Sequence, residues 1–207
     1  MFYGQFELDR VLYETFFKEK RGGFFVECGS FDGLTECTCK FFEESMGWTG
    51  LNIEPTPYAY GRLINNRKNC INENCALSSK TGKAIFTNAI HPEHGRHYGN
   101  GSLSHAQSHK NELIAEGCEF ETFEVECVRF IDLYKKHSLP DIDLFVLDVE
   151  GHELDALRGI LEIPNSALPK VFCIEHTIAG LNELTKVLSD QYIFHSGQAH
   201  NSFFVKK

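Results

Sequence analysis

The sequence has no long hydrophobic run, and its longest apolar blocks are short segments such as 24–26, 144–147 and 171–174. A membrane-spanning helix needs roughly 18 or more consecutive apolar residues, so none is expected here. The first residues, MFYGQFELDR, lack the basic start and following apolar stretch of a secretory signal. We therefore expect a cytoplasmic protein.

Basic residues are also scarce. Lys and Arg total 20 against 29 Asp and Glu, which gives a formal net charge of -9 at pH 7. Binding to a phosphate backbone depends on clusters of cations, and the densest basic segments, 18–21 and 67–68, are short. The acidic balance therefore disfavours nucleic acid as a main partner.

The paired CxxC spacing of a structural zinc site is missing, although the chain has eight cysteines. One CxC pair and one CxxxxC pair are present instead. Cys28 and Cys173 lie within apolar runs and are expected to be buried. Without a secretion signal, reduced thiols are expected rather than a disulfide framework.

Apolar residues make up 42% of the chain, with 18 phenylalanines, which is enough for one substantial core. Short β-rich blocks alternate with helical stretches, a pattern that predicts an α/β sheet covered by helices on both faces. Strands are expected at 24–28, 50–54, 71–77, 83–88, 120–127, 141–151 and 170–176, with a terminal antiparallel hairpin at 192–195 and 201–205. Helices are expected at 6–20, 36–46, 58–66, 128–137, 153–161 and 181–190. We interpret residues 1–207 as a single domain that begins with a helix within residues 1–21.

Residues 89–118 carry five of the ten histidines and show little periodicity. His91, His94 and His97 would align only on a helix, and Pro92 and Gly95 oppose that helix. A long irregular segment is commonly functional. We expect a lid over a cleft here rather than a zinc site.

In sheets of this kind the ligand lies beyond the carboxyl ends of the strands, where the strand order reverses. After the first expected strand, the loop ECGSFDG has Gly29 and Gly33 for a tight turn. Phe31 stands where the dinucleotide fingerprint requires a glycine, which disfavours a pyrophosphate cradle. Glu27 and Asp32 make the loop acidic, which suits a cationic ligand.

The next two strand ends offer polar groups suited to a nucleoside. Glu54, about 20 residues past the glycine-rich turn, is where a ribose diol would be held, because a carboxylate accepts from hydroxyls. Asn74, Cys75 and Ala76 could read an adenine edge through the amide and the backbone.

The last two parallel strand ends carry the most ionisable groups. Asp148 closes an apolar strand and is followed by Glu150, His152 and Glu153; such groups are costly to bury unless they pair or bind something. His152 can accept a proton near neutral pH. Glu175 and His176, together with Asp148, would supply ligands suited to Mg²⁺ or Mn²⁺. The alternative is a hydrogen-bonded group that lines the pocket without a metal.

Four segments, GGFFVECGSFDG, MGWTGLNIEPTPYAYGRL, CALSS and LFVLDVEGHELDALRG, resemble successive motifs of FkbM-type methyltransferases. These are S-adenosylmethionine-dependent enzymes of the Rossmann-like class. The similarity runs in order over residues 22–176. It implies a class I methyltransferase fold, with a seven-stranded, mostly parallel sheet and an antiparallel C-terminal hairpin.

The resemblance also implies roles for individual residues. Contacts to S-adenosylmethionine would come from Glu27, Gly29, Ser30, Asp32, Glu54, Pro55, Asn74, Ala76 and Asp148. Family members mostly methylate hydroxyls of sugars or other small molecules, and His152 would be the base, with Asp148 orienting it. By analogy with related sugar enzymes, Asp148, Glu175 and His176 would bind a divalent cation, Mg or Mn. The segment 89–118, with Ser102, would close over the acceptor.

Three other functions stay open. The acceptor could be an amine of a small molecule or protein side chain, or the chain could bind the cofactor without catalysis. A nicotinamide oxidoreductase is disfavoured by the missing third glycine. The acceptor and the oligomeric state are not predicted, although Phe6, Phe16 and Phe17 could pack against a partner.

Overall fold

The computed structural model describes residues 1–96, 99–176 and 180–207. His97 of the histidine-rich segment lies outside these ranges. The strands are β1 (Phe24–Cys28), β2 (Thr49–Ile53), β3 (Ile71–Glu73), β4 (Ala76–Leu77), β5 (Gly82–Ile90), β6 (Gly101–Ser102), β7 (Glu119–Val128), β8 (Leu144–Leu147), β9 (Val171–Glu175), β10 (Tyr192–Gln198) and β11 (Asn201–Lys206). The helices are α1 (Leu8–Leu12), α2 (Lys40–Met46), α3 (Pro57–Asn66), α4 (Gln107–Ala115), α5 (Phe130–His137), α6 (Glu153–Ile160) and α7 (Gly180–Leu188).

The main sheet has seven strands in the order β10-β11-β9-β8-β1-β2-β3. β11 pairs antiparallel with both of its neighbours, whereas β9, β8, β1, β2 and β3 pair in parallel. This confirms the mostly parallel sheet with an antiparallel terminal hairpin. The strand order reverses between β1 and β8, so a ligand is expected beyond the carboxyl ends of these two strands.

Helices cover both faces of this sheet, as predicted. Every residue of β1 is buried, and alternate side chains enter opposite cores because successive residues of a strand face opposite ways. Val26 and Cys28 pack in the core with α5, α6 and α7, and Phe25 packs in the core with α1 and α2. Cys28 and Cys173 are buried, which confirms that prediction.

A second sheet, in the order β4-β7-β5-β6, lies between β3 and α5 in the sequence. The single strand predicted over 71–77 is therefore wrong. The chain leaves the main sheet after β3, and β4 pairs with β7 instead. The expected strand over 141–151 is also shorter, and β8 covers only four residues.

Two segments depart from their predicted conformation. The predicted irregular segment 89–118 contains helix α4, whose only buried residue is Leu113. A helix with so few core contacts has no apolar stripe for periodicity to detect. The helix expected at 36–46 begins only at Lys40, and Glu36, its expected first residue, takes a positive φ of 55° that is incompatible with a helix.

The helix predicted over 6–20 begins only at Leu8, because Phe6 and Glu7 have positive φ values of 52° and 56°; α1 then continues into a π-helical turn at Tyr13–Phe17. Phe17 contacts Trp48 with ring centroids 5.0 Å apart, and Phe16 contacts Phe203 at 5.9 Å. These two aromatic rings therefore pack within the chain, while Phe6 is exposed. In the ranges that the structure describes, no helix has both the length and the apolar character to cross a bilayer.

Candidate active site

The loop after β1 brings the ends of β1 and β8 into contact. Gly29 takes a φ of +87°, and a Cβ added there would lie 1.9 Å from the backbone oxygen of Asp148. The Gly29 N–H donates to the Ile53 carbonyl at 3.1 Å. Only a residue without a side chain allows the β1, β2 and β8 ends to meet this closely.

The other predicted residues of this loop are buried and hold it in place. The Ser30 hydroxyl donates to the Glu27 carbonyl at 2.6 Å and accepts from the Ile53 N–H at 3.2 Å. Asp32 accepts from the N–H groups of Leu34 and Thr35 at 3.0 and 2.7 Å. Ser30 and Asp32 therefore lie behind the described wall of the cleft rather than on it.

Glu27 also lies behind that wall, in a buried ion network that the sequence analysis did not predict. Its carboxylate pairs with Arg67 at 3.1 Å and accepts from the Cys39 N–H at 2.8 Å. The Arg67 guanidinium also pairs with Glu43 and lies over the Phe25 ring, 5.2 Å from its centroid. Arg67 is fully buried, and the carboxylates around it raise its pKa against the opposing effect of burial.

Glu54 follows β2 and organises the neighbouring turns while facing the cleft. Its two carboxylate oxygens accept from the N–H groups of Phe31 and Thr56 at 2.9 and 2.8 Å. Phe31 has a positive φ of 45°, so a non-glycine residue adopts the left-handed region here. Burial raises the pKa of Glu54. Each oxygen has a further lone pair with which it can accept from a hydroxyl.

The Asn74 side chain stabilises the turn at Glu54 and Pro55 from the side away from the cleft. Its amide donates to the carbonyls of Glu54 and Pro55 at 2.8 and 3.1 Å. Pro55 and Ala76 line the cleft, whereas Asn74 is not among its described lining residues. The structure thus places the small Ala76 side chain, rather than the Asn74 amide, at the predicted adenine position.

A cleft of about 1250 Å³ lies beyond the carboxyl ends of the strands. Gly29, Glu54 and Asp148 all line it, as do residues of α4 and the second sheet. Small-molecule clefts generally have volumes of roughly 300–1,000 Å³. This cleft is therefore large enough for two reactants side by side.

Carboxyl groups converge at the ends of β8 and β9. Oxygens of Asp148, Glu150 and Glu175 lie within 4.8 Å of one another. The side chains of Asp148 and Glu175 lie close enough to interact directly. Burial and the neighbouring carboxylates raise the pKa of Glu175 to about 7 and those of Asp148 and Glu150 well above their usual range.

Three carboxylates of this kind form an oxygen donor set that fits Mg²⁺ or Mn²⁺. His176, which was predicted as a ligand, is not in this group. Its Nε2 lies 2.7 Å from the Ser202 hydroxyl. The structure therefore brings together two of the three predicted ligands and adds Glu150.

His152 lines the cleft at the start of α6. Its Nδ1 lies 2.8 Å from the Ser104 hydroxyl, and its Nε2 lies 3.2 Å from Asp155 without hydrogen-bond geometry. Burial lowers the pKa of His152, which favours the neutral imidazole. The residue next to the imidazole is thus Asp155 rather than the predicted Asp148.

Asp155 is held firmly in this position. It accepts from the Ser78 hydroxyl at 2.7 Å, and from the N–H and hydroxyl of Ser79 at 2.9 and 2.8 Å. Burial alone would raise the pKa of Asp155, but these hydrogen bonds lower it to about 2. Sequence reasoning missed Asp155, although its position three residues after His152, on the same helical face, was a usable signal.

The segment that includes α4 packs against the loop after β8. The Ser102 hydroxyl donates to the Val149 carbonyl at 3.1 Å, and His109 Nδ1 lies 3.3 Å from Glu150. A Cβ on Gly151 would lie 3.0 Å from the Ser104 carbonyl, so the two backbones are in close contact. Residues 101–109 therefore form part of the cleft wall beside the carboxyl cluster.

A sequence model of the methyltransferase FkbM domain matches residues 27–186. No curated protein matches the sequence. Among solved structures, a TehB-like SAM-dependent methyltransferase from Corynebacterium glutamicum has 11% identity and a TM-score of 0.47, with 100% of this chain and 89% of that chain covered. The human methyltransferase 10 domain containing protein has 8% identity and a TM-score of 0.43, with 97% and 78% covered. The match to the family model extends over most of the chain and includes the loop after β1 and the ends of β2, β8 and β9, and the protein belongs to the FkbM methyltransferase family.

Proposed function

We propose that this protein transfers the methyl group of S-adenosylmethionine to a hydroxyl of a sugar or another small molecule. One observation carries the proposal: Gly29, Glu54 and Asp148 meet in a single large cleft where the strand order of the sheet reverses. In this proposal the cofactor lies along the ends of β1 and β2, and the acceptor lies beyond Asp148.

The residues of the cleft fit the cofactor. Glu54 keeps lone pairs for the two ribose hydroxyls, and Ala76 leaves room for a flat base. The bare backbone at Gly29 allows close approach of the methionine part. Acidic side chains at the ends of β8 and β9 favour the positive sulfonium.

S-adenosylmethionine supplies an electrophilic methyl group for an in-line displacement. The protein contributes mainly by holding the acceptor oxygen and that methyl group in line. Burial lowers the pKa of His152 and so favours the neutral imidazole, which would accept the hydroxyl proton. Asp155 and Ser104 would fix the orientation of the imidazole ring.

A divalent cation stays a prediction. Asp148, Glu150 and Glu175 would hold it, and it would lower the pKa of the acceptor hydroxyl. Loss of turnover on treatment with a chelator, with recovery on addition of Mg²⁺ or Mn²⁺, would support this role. Full activity in chelator would contradict it.

Replacing Glu54 with Gln tests the cofactor site. Hydrogen bonds to a charged group contribute about 1.5–3 kcal/mol, so we expect S-adenosylmethionine to bind roughly tenfold to a hundredfold more weakly. Calorimetric titration measures this change. Glu73→Gln is the matched control, because Glu73 ends the neighbouring strand β3 and pairs with Lys136 and His137. Equal affinities of the two variants would contradict the proposal.

Replacing His152 with Ala tests the base. Turnover should fall by roughly 10²- to 10⁴-fold, the range of general base catalysis, while cofactor affinity stays near that of the unmodified protein. S-adenosylhomocysteine release in the presence of a panel of sugars and other alcohols measures the first quantity, and calorimetry measures the second. If the variant loses cofactor binding instead, His152 has a different role.

A further inference from the structure

The second sheet forms one wall of the cleft. Phe86 and Asn88 of β5 and Gly101 of β6 are among the residues that line it. Phe86 and Asn88 are two residues apart in the strand, so their side chains leave the same face of the sheet. Gly101 pairs with Asn88 in the antiparallel ladder of β5 and β6. We call Phe86, Asn88 and Gly101 the second-sheet patch.

This patch lies beside the positions assigned to the nucleoside. Phe86 packs in one apolar cluster with Ala76, which is at the predicted adenine position. The Asn88 amide nitrogen donates to the Tyr58 hydroxyl at 3.5 Å. Tyr58 lies in the first turn of α3, four residues after Glu54, and also lines the cleft. The second-sheet patch therefore borders the part of the cleft that Ala76 and Glu54 define.

The Asn88 carboxamide is buried, and a carboxylate fixes its orientation. Its Nδ2 donates to Oε1 of Glu121 at 3.2 Å. Arg96 donates to both oxygens of Glu121 at 2.8 and 2.6 Å, and these hydrogen bonds lower the pKa of Glu121. An ionised carboxylate has no hydrogen to donate. The nitrogen of the Asn88 carboxamide must therefore face Glu121, and the oxygen must point away from it.

Tyr58 fixes the same orientation from a second side. Burial raises the pKa of Tyr58 to about 12, so its hydroxyl is protonated at neutral pH. The hydroxyl hydrogen is used in a hydrogen bond to the Arg96 carbonyl. The Tyr58 oxygen can therefore only accept from Asn88, and both hydrogens of the Asn88 amide have acceptors. The direction of the Asn88 oxygen thus follows from its surroundings.

The oxygen of the Asn88 carboxamide has no donor within the chain as described. In the ranges 1–96, 99–176 and 180–207, no N–H or O–H group donates to Asn88 Oδ1, although the residue is only 2% exposed. Buried polar atoms nearly always have a hydrogen-bond partner. Gly101 leaves room beside this oxygen, because a Cβ added there would lie 3.1 Å from Asn88 Oδ1 and 2.4 Å from the Phe86 ring. The wall of the cleft thus presents a buried acceptor that an N–H group of a ligand can satisfy.

Provided that the cleft binds S-adenosylmethionine as proposed above, we propose that Asn88 selects the adenine base of the cofactor. Asn88 Oδ1 accepts a hydrogen bond from the amino group at C6 of the base, and the base lies against Ala76 and Phe86. The Asn74 amide, which the sequence predicted in this role, donates instead to two backbone carbonyls. Asn88 is thus a specificity-determining residue that the second sheet contributes.

This contact separates adenine from bases that have a carbonyl at C6. Hypoxanthine and guanine carry an oxygen at the position where adenine has its amino group. That oxygen would face Asn88 Oδ1, and neither acceptor would have a donor. A site built around a hydrogen bond rejects the analogue that lacks it, because the buried polar group of the protein stays unpaired.

The test compares S-adenosylhomocysteine with S-inosylhomocysteine, in which a carbonyl replaces the amino group at C6. Calorimetric titration of the protein should show that the adenine compound binds at least about tenfold more tightly. Asn65→Ala is the matched control, because Asn65 is exposed on α3 and donates to the Gly61 carbonyl. This variant should bind both compounds as the unmodified protein does.

Two substitutions of Asn88 separate base selection from a structural role. Both remove the amide nitrogen that donates to Glu121 and Tyr58. Asn88→Leu also removes the acceptor, so the preference for adenine should fall below about threefold. Asn88→Asp keeps an oxygen in place, and beside the ionised Glu121 its carboxyl group should stay protonated and supply the lost donor. The Asn88→Asp variant should therefore keep a preference of at least about tenfold.

The proposal is wrong if the unmodified protein binds the two compounds equally, if Asn88→Leu keeps the full preference, or if Asn88→Asp loses it as Asn88→Leu does. A crystal structure with S-adenosylhomocysteine decides the question without any variant: the C6 amino nitrogen should lie within about 3.2 Å of Asn88 Oδ1. A base that turns its amino group elsewhere would contradict the assignment. Binding without preference contradicts this inference alone, whereas no binding of S-adenosylhomocysteine contradicts the proposed methyl transfer as well.

Discussion

Replacing Gly29 with Ala is expected to destabilise the protein by about 4 kcal/mol or more and to abolish measurable cofactor binding. The added Cβ would lie 1.9 Å from the Asp148 carbonyl oxygen, well inside van der Waals contact. A backbone with a φ of +87° adds strain of roughly 1–3 kcal/mol for a residue other than glycine. The carboxyl ends of β1 and β8 would have to separate, and these ends form the floor of the cleft. Urea unfolding and calorimetric titration of S-adenosylmethionine measure the two effects.

Gly22→Ala is the matched control for this substitution. Gly22 also has a positive φ, of 63°, but an added Cβ would meet nothing within 4 Å. The Gly22→Ala variant should lose only the folding stability that corresponds to the backbone strain, about 1–2 kcal/mol, and its cofactor affinity should be unchanged. If Gly29→Ala behaves like Gly22→Ala, the close approach of β1 and β8 is not needed for the site.

Replacing Arg67 with Met is expected to cost about 3–5 kcal/mol of folding stability. The change leaves the buried carboxylates of Glu27 and Glu43 without their shared cation. Removing one partner of a buried ion pair costs much more than the pair contributed, because the remaining charge stays desolvated. The loss should appear as a lower midpoint of urea unfolding.

Arg129→Met is the comparison for the buried arginine. Arg129 also pairs with two carboxylates, Asp132 and Glu162, but its side chain is 38% exposed. Exposed pairs contribute roughly 0–1 kcal/mol, so this variant should remain close to the unmodified protein. A similar loss in both variants would mean that burial is not what makes Arg67 important.

The loop after β1 and the buried Arg67 network differ in whether the sequence made them recognisable. The loop after β1 was recognisable, because a glycine-rich turn after an apolar strand is a local pattern. Arg67 gave no such signal: its partners are 40 and 24 residues away in the chain, and it lies in a short basic segment that reads as solvent-exposed. Glu27 was assigned to the cofactor loop for the same reason, since nothing in its neighbourhood indicates a buried arginine.

The polar residues around the cleft show a similar division. Residues directly after strands, such as Glu54 and Asp148, could be selected from the sequence, because the carboxyl ends of parallel strands share one edge. The sequence could not show which neighbouring side chains would join them. Glu150 enters the carboxyl group in place of His176, and Asp155 takes the position expected for Asp148 beside His152.

The alternation of strand and helix patterns and the motifs at the strand ends were enough to identify the fold and the family, since both depend on local periodicity and short-range spacing. The second sheet and the polar helix α4 could be recognised only in the folded chain. The same holds for whether a polar side chain faces the cleft or supports its wall from behind. These features depend on pairings between residues distant in sequence, such as β4 with β7 and Ser104 with His152, and on the direction in which each side chain leaves its loop. Neither the long-range pairings nor the side-chain directions produce a periodic pattern in the sequence.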